Sequence, residues 1–522
     1  MSYIDRAFVD QERKYWRIPG AAVALFGEGM EDEIACFGYR DLERSLPFTE
    51  NTLHCVASCS KSMTSLLIAS LVADGILDYD RPVSEYLPDF QLFDPDASKR
   101  FTLRDMLCHR TGFGDHDVLW PCDRADLARR IRYVEPCDTF RNRSLYSNVI
   151  YALIGYVAEA VTGRSWPELM QERVFDPLRM QRTNCTADKI VSDPDHAEPY
   201  YVEGGRAVKK AFWNIDGGGP AASVNTSIKD LMKWVKFHIR GGCNEEGKQI
   251  IPSSIFEEMH RPQMPFTDTE GSQPYPFDFY CMGWRAGKYK GYRAQKHSGK
   301  IEGYSSFQLY LPDEKIGLCL MANLHVPFEQ FCFTVTYSLL DAALGLPKDD
   351  WRSRYRGKEN TPETDRTEGV TADERKTNSS AEQGPADEDV CPDPAVFETY
   401  KVDVAEKKLD PAVKGNLCPR AYKEYIGIYA NPGHGPLEVR AAGRELTLHY
   451  RDQTLALHHY GADTFVMPGV LTDTLTLRVP VRFVANAYGE IIKVKICYEP
   501  QVEDIVFVKK RSGKEAGEKT CD

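Results

Sequence analysis

Thr52-Leu-His-Cys-Val-Ala-Ser58-Cys-Ser-Lys61-Ser-Met-Thr-Ser-Leu-Leu-Ile-Ala-Ser-Leu-Val-Ala-Asp-Gly75 is the stretch around which the rest of the chain is organised. An extended run ends at Ala57. Ser58 then opens a helix, and Lys61 follows three residues later on the same helical face, within reach of the hydroxyl. A serine at a helix start lies beside unpaired backbone N–H groups and the positive end of the helix dipole, which favours a hydroxyl that must become an alkoxide. Met63, Leu66, Leu67 and Leu71 make the helix behind it a buried anchor, and Gly75 is its expected C-terminal cap. Ser58/Lys61 is the only S-x-x-K in the sequence. Serine is also an ordinary N-cap, so the tetrapeptide alone carries little weight and the distant segments decide its meaning.

The chain has 522 residues, which predicts two or three domains. With 65 basic and 77 acidic residues its net charge is −12, which argues against nucleic acid as a partner. No run has the length of a membrane span, and the polar start Met-Ser-Tyr-Ile-Asp-Arg does not read as a secretory leader. There are 15 cysteines, an odd count. They form no C-x-x-C pair and no Cys/His cluster with zinc spacing, so free thiols, a reducing cytoplasmic setting and no metal are expected. Cys59, beside Ser58, is expected to face away from the site.

Outward from the Ser58 helix, Arg17–Gly27 reads as a helix end and a strand. Ile34–Tyr39 reads as the hairpin partner of that strand. From Thr102 to about Arg240 the pattern is mostly helical, with a helix from Asn148 stopped by Gly163 and another from Thr226 or Ser227 to Ile239. Strand signals return at Gly283-Trp-Arg-Ala, Gly303–Leu311 and Ile316–Asn323, and Phe331–Leu346 reads as a closing helix. The first and last thirds of this part thus supply one sheet and the middle supplies helices. Lys358 to about Asp393 lacks large apolar residues and reads as a disordered linker. From Tyr422 the chain is all β in short alternating strands, including Leu475–Val479, which predicts a small barrel or curled sheet.

Serine acyl transfer needs an activated hydroxyl, a proton acceptor and donors for the oxyanion. Besides Ser58 and Lys61, Tyr146-Ser147-Asn148 lies on a turn entering a helix. In an extended turn Tyr146 and Asn148 point to the same side, so the phenol could move a proton while the amide holds Lys61 or a substrate carbonyl. His297-Ser298-Gly299-Lys300 precedes a strand, and an edge there could offer a backbone N–H. His109 reads as capping or packing a turn, and His116 and Trp213 as pocket lining or packing.

In order and rough spacing, Ser58-x-x-Lys61, Tyr146-x-Asn148 and His297-x-Gly299 resemble the serine β-lactamase and penicillin-binding-protein superfamily. The nearest likeness is to its class C β-lactamase-related group of esterases, D-aminopeptidases and acyltransferases. Supporting phrases are Ile18-Pro-Gly-Ala-Ala-Val23, Gly75–Pro88, Leu107-Cys-His-Arg-Thr-Gly-Phe113, Gly218-Gly-Pro-Ala-Ala-Ser-Val224 and Gly283-Trp284. Tyr425-Ile-Gly-Ile-Tyr429 and Asp463-Thr-Phe465 are similar to the lipocalin-like domain that often follows it. Tyr429-x-Asn431 and His459-x-Gly461 repeat two of the triplets, but away from any S-x-x-K, and read as structural.

The resemblance implies an α+β fold, a β-lactamase-like α/β sandwich whose antiparallel sheet is flanked by helices. A catalytic domain would span 1–352 with a helical insert at about 80–250, a linker 353–395, a β domain 396–510 and a tail 511–522. It implies Ser58 as nucleophile, Lys61 as its activator and Tyr146 as base and then acid. The backbone N–H groups of Ser58 and Lys300 would form the oxyanion hole, with Asn148, Gly299 and Lys300 binding substrate. His297 stands where true β-lactamases carry Lys, which argues against strong β-lactamase activity. The expected activity is hydrolysis of an ester or amide of a small molecule or peptide through a Ser58 acyl-enzyme. Acyl transfer by the same intermediate, or a silent scaffold, are the alternatives. No cofactor, nucleic acid or membrane is expected, and a homo-oligomer is possible.

Overall fold

The computed structural model describes residues 2–114, 116–120, 123–266, 275, 277–325, 328–356, 408–443, 445–451, 453–467, 479–499 and 502–510. Of the expected linker 353–395, residues 353–356 belong to the helix Trp351–Arg356, and the rest of it, the tail and most of the expected strand at 475–479 lie outside the described residues.

Helix α1 (Arg6–Tyr15) leads into strands β1 (Gly20–Gly27), β2 (Glu33–Asp41) and β3 (Leu46–Pro47). Helix α2 (Ser60–Ala73) follows, and then the helical lobe with α3 (Leu103–Leu107), α4 (Asn148–Thr162) and α5 (Ile228–Ile239). The chain returns to the sheet through β4 (Met264–Pro265), β5 (Phe279–Tyr280), β6 (Arg285–Tyr289), β7 (Tyr292–Ile301), β8 (Tyr304–Leu311) and β9 (Ile316–Ala322), and closes with α6 (Phe328–Ala343) and α7 (Trp351–Arg356). Among the described residues these make one nine-stranded sheet in the order β3-β2-β1-β9-β8-β7-β6-β5-β4. The pairings across it are antiparallel, so the first and last segments meet in the middle, Ala21 opposite Ala322. This is the expected assembly of the sheet from the two ends of the domain.

Both faces of the central strands are covered. Strand β8 is buried along its whole length. Phe307 and Leu309 enter the core under α1 and α6, and Tyr310 packs on the side of α2 and α5. Residues 60–71 of α2 are all buried. Several of its hydroxyls find partners there: Thr64 donates to the Pro220 carbonyl at 2.8 Å, and Ser60 Oγ accepts the Val224 N–H at 3.0 Å. Glu12, fully buried on α1, is held by Arg352 and Arg356 of α7, which fastens the last helix to the first.

The C-terminal region is a closed antiparallel barrel, β10 (Gly427–Asn431), β11 (Gly435–Ala442), β12 (Glu445–Tyr450), β13 (Gln453–Gly461), β14 (Thr464–Met467), β15 (Val479–Ala485), β16 (Ile491–Ile496) and β17 (Ile505–Lys509). Its interior is occupied by packed rings and branched chains, with Tyr425 4.8 Å from Phe483 and 5.2 Å from Phe465. The β10–β11 turn leans on the helical lobe, where the Gly433 Cα approaches the Tyr133 carbonyl so closely that a Cβ would lie 3.1 Å from its oxygen. Glu499 accepts the His116 N–H at 3.3 Å. His116 is therefore an interface residue. Trp213 packs edge-on against Trp120, 5.5 Å away.

Candidate active site

Ser58 lies in a single 3-10 turn, Ala57–Cys59, just before α2, rather than in α2 itself. Ala57 carries a left-handed backbone (φ +46°), a strained conformation of the kind that clusters at functional sites. The turn thrusts Ser58 to the helix start, with its residue 6% exposed. Lys61, one turn on and fully buried, directs Nζ to Ser58 Oγ at 3.0 Å, Asn148 Oδ1 at 2.7 Å and the Ala221 carbonyl at 3.0 Å. Three oxygens on an ammonium are what burial of a lysine requires. The same Nζ lies 4.6 Å from the centre of the Tyr146 ring.

Tyr146 and Asn148 converge on Lys61 because Ser147 between them is extended (φ −148°, ψ 113°) and caps α4 by accepting the Ile150 N–H. An extended middle residue sends its two neighbours to one side. The strand β7 supplies the opposite wall. Its pairing with β6 ends at Arg285–Lys296, while pairing with β8 continues through Gly299–Ser306 and Lys300–Ser305, so the edge of residues 297–301 is left to the Ser58 turn. Gly299 is where the two touch. A Cβ there would lie 2.2 Å from the Val56 carbonyl oxygen and 3.0 Å from Ser58 N, so only glycine fits. Gly283 does the same behind Lys61, with φ +77° and room for no Cβ, which would lie 2.7 Å from the Lys61 carbonyl.

His297 stands on this wall, its ring 6.3 Å from that of Tyr146. Its Nε2 lies 3.1 Å from Tyr280 Oη and its Nδ1 2.6 Å from the Ser298 carbonyl. Tyr280 is fully buried and burial pushes its phenol well up, so it stays protonated and donates to Nε2, which leaves the ring proton on Nδ1. The Lys300 ammonium pairs with Glu329 of α6. Cys59 turns away as expected. Its thiol donates to the His297 carbonyl at 3.3 Å, and burial pushes it up to about 12, which makes it inert.

Three neighbours, Tyr280, Tyr151 and Ala221, did not stand out in the sequence, and a fourth, His109, was read there only as capping or packing a turn. Tyr280, Tyr151 and His109 pack around Tyr146 and Lys61, with ring centres 4.4 Å apart for His109 and Tyr146 and 4.6 Å for His109 and Tyr280. Ala221 contributes only a carbonyl. The phrases Leu107–Phe113 and Gly218–Val224, which carry the family resemblance, contain His109 and Ala221, but did not show that these two reach Tyr146 and Lys61. Among the described residues no cluster of His, Cys, Asp and Glu could hold a metal ion, and no helix is long and apolar enough to cross a membrane.

Comparison with known proteins agrees with this fold. The family model described as beta-lactamase matches residues 6–342, and the one described as domain of unknown function (DUF3471) matches residues 412–509. Unguisins hydrolase ungD of Aspergillus violaceofuscus (strain CBS 115571) is 25% identical over 97% of this chain and 89% of its own length. A D-aminopeptidase of Gluconobacter oxydans (strain 621H) is 28% identical over 64% of this chain and 61% of its own, so the match spans less than two thirds of that protein. The octameric penicillin-binding protein homologue from Pyrococcus abyssi shares the fold, with a TM-score of 0.57 and 20% identity over 96% of this chain and 98% of that one. The sheet, the covering helices and the family match over most of the chain lead to one conclusion: this protein is a member of the beta-lactamase family, of the β-lactamase and penicillin-binding-protein fold, and its named relatives include hydrolases.

Proposed function

We propose that the protein is a serine hydrolase that cleaves an ester or amide of a small molecule or peptide through an acyl-enzyme on Ser58. The observation that carries this is the bond pattern of Lys61, whose ammonium joins Ser58 Oγ to Asn148 beneath the Tyr146 ring. An ammonium beside a phenol and a serine hydroxyl favours their ionised forms. Tyr146, assisted by Lys61, takes the Ser58 proton as Oγ bonds to the substrate carbonyl carbon. The carbonyl oxygen becomes the oxyanion, received by the backbone N–H groups of Ser58 and Lys300. Tyr146 returns the proton to the leaving oxygen or nitrogen as that bond breaks, and water repeats the cycle in reverse to free the acid and restore Ser58. Asn148 fixes Lys61, and His297, held by Tyr280, walls the pocket with Gly299.

A relative whose name is D-aminopeptidase makes amides of D-amino acids the first substrates to try. The test is a panel of D- and L-aminoacyl anilides and short-chain aryl esters, assayed with and without an added amine. Turnover that vanishes in Ser58→Ala supports the reading, and turnover that survives it refutes the reading. Product appearing as an amide of the added amine would point to acyl transfer instead.

A further inference from the structure

We propose that His109 is a positioning residue for the reaction, a neutral imidazole that sets the Tyr146-Ser147-Asn148 turn against Lys61. This rests on the reading of Tyr146 as the proton carrier.

His109 grips that turn at two points. Its Nδ1 accepts the Ser147 N–H at 3.1 Å, and its own carbonyl accepts the Leu145 N–H at 2.8 Å. Its ring lies 4.4 Å from Tyr146, so backbone and side chain of the same short segment are set by one residue. Ser147 is thereby kept extended, the condition for Tyr146 and Asn148 to reach Lys61 together. His109 is in turn held rigid. It has a left-handed backbone (φ +58°), and its turn is anchored by the fully buried Asp105. Asp105 receives Arg110 and both Nε and an Nη of Arg141 (2.8 Å each) and caps α3 through Thr102.

Packing alone does not explain an imidazole here. His109 is fully buried, and its Nε2 has no hydrogen-bond partner among the described residues. A buried polar atom left unpaired costs stability that a phenylalanine or leucine would avoid. Because Nδ1 accepts a hydrogen bond, the ring proton sits on Nε2, and the imidazole as a whole packs among the rings of Tyr146, Tyr151 and Tyr280. Burial, and then the nearby Lys61, hold the imidazole far below its usual titration range. It therefore adds no positive charge beside the ammonium that Tyr146 and Ser58 use.

The test separates the acceptor from the ring by substitution. In His109→Asn, Oδ1 can take the place of Nδ1, and asparagine tolerates the left-handed backbone. In His109→Gln the oxygen falls nearer the place of Nε2, and in His109→Ala both roles are gone. The expected result is a kcat at least about 10-fold lower in His109→Ala and His109→Gln than in His109→Asn, with KM changed by less than about 3-fold. The acid limb of the kcat/KM pH profile should shift in Ala and Gln but stay in place in Asn. Equal kcat in Asn and Gln, or unshifted limbs in all variants, would overturn the positioning role. If His109→Ala does not fold, the Asn–Gln pair alone decides. Fluorophosphonate labelling of the unsubstituted protein keeps the two levels apart. Labelling on Ser58 with turnover indifferent to His109 removes only this inference, whereas absence of both removes the acyl-enzyme reading and this inference with it.

Discussion

At the scale of single residues, the site is a set of polar groups that hold one another in place inside an apolar core. Lys61 is buried with three oxygen partners, and the stability of that arrangement depends on all three. Tyr146→Phe removes one hydroxyl from a half-buried ring and leaves the ring packing, so stability should change by less than about 1 kcal/mol. Its kcat should fall by about 10²-fold or more with KM little changed, because a general acid–base group supplies that much. Steady-state kinetics beside thermal melting check this, and a variant of normal rate would remove Tyr146 from the reaction. Lys61→Met retains length and loses the ammonium. Activity should drop by more than about 10³-fold, and the Asn148 amide oxygen and Ala221 carbonyl lose their donor at about 1–3 kcal/mol each. The residue triplets were legible in sequence only through their order and the family resemblance of that order, since Tyr-x-Asn and His-x-Gly each recur at Tyr429-x-Asn431 and His459-x-Gly461. The partners of His297 were not, because Tyr280 is one of 27 tyrosines and only the fold brings it to the imidazole.

Elements bring these residues together by close approach of backbones. The Ser58 turn meets the edge of β7 at Gly299, and β6 begins against α2 at Gly283. Gly299→Ala places a methyl onto the Val56 carbonyl, which is backbone and cannot swing away. We expect destabilisation of about 1–3 kcal/mol and at least about a 10-fold loss of kcat/KM, because the strand carrying Lys300 N–H is pushed off Ser58, the proposed nucleophile. Denaturant unfolding and kinetics on the same preparation check it, and a fully active, equally stable Gly299→Ala would contradict the packing described. The helices and central strands were readable because their signals are local: Ser227 caps α5, Gly163 ends α4 with φ +68°, and β9 is a continuous apolar run. The short strands were not. Met264–Pro265 and Phe279–Tyr280 have two residues each, and they exist through pairing, the second with β6 and the first with the second, rather than through any periodicity of their own. The assignment of Ser58 to α2 missed by one turn, since Val56–Cys59 closes as a 3-10 turn through its own backbone bond before the α-helix begins.

Across the whole molecule, buried histidines tie stability to pH. Burial depresses His54 and His260 to about 4 and His434, in the barrel turn, to about 3. The unfolded chain binds these protons near 6.5 and the native one does not. The stabilisation is therefore complete above pH 6.5 and is lost as pH falls from there toward 4. Holding a proton off a group across one pH unit is worth roughly 1.4 kcal/mol, so a few such histidines rival the whole stability of a domain. Melting temperature should hold steady from pH 8 to 7 and fall steeply below 6, and His54→Gln, which can still donate to the Ala322 carbonyl 3.0 Å away, should blunt the fall. A flat profile down to pH 4.5 would contradict this. The barrel was foreseen from its short alternating strands, but its seat on the lobe was not, because the His116 and Glu499 that join are nearly four hundred residues apart. Sheet and lobe meet at the Ser58 hydroxyl, and the most direct test is chemical. The intact protein, treated with a fluorophosphonate, should gain one adduct mass, mapped by peptide sequencing to Ser58 and absent from Ser58→Ala. No adduct, or an adduct unchanged in Ser58→Ala, would contradict the account.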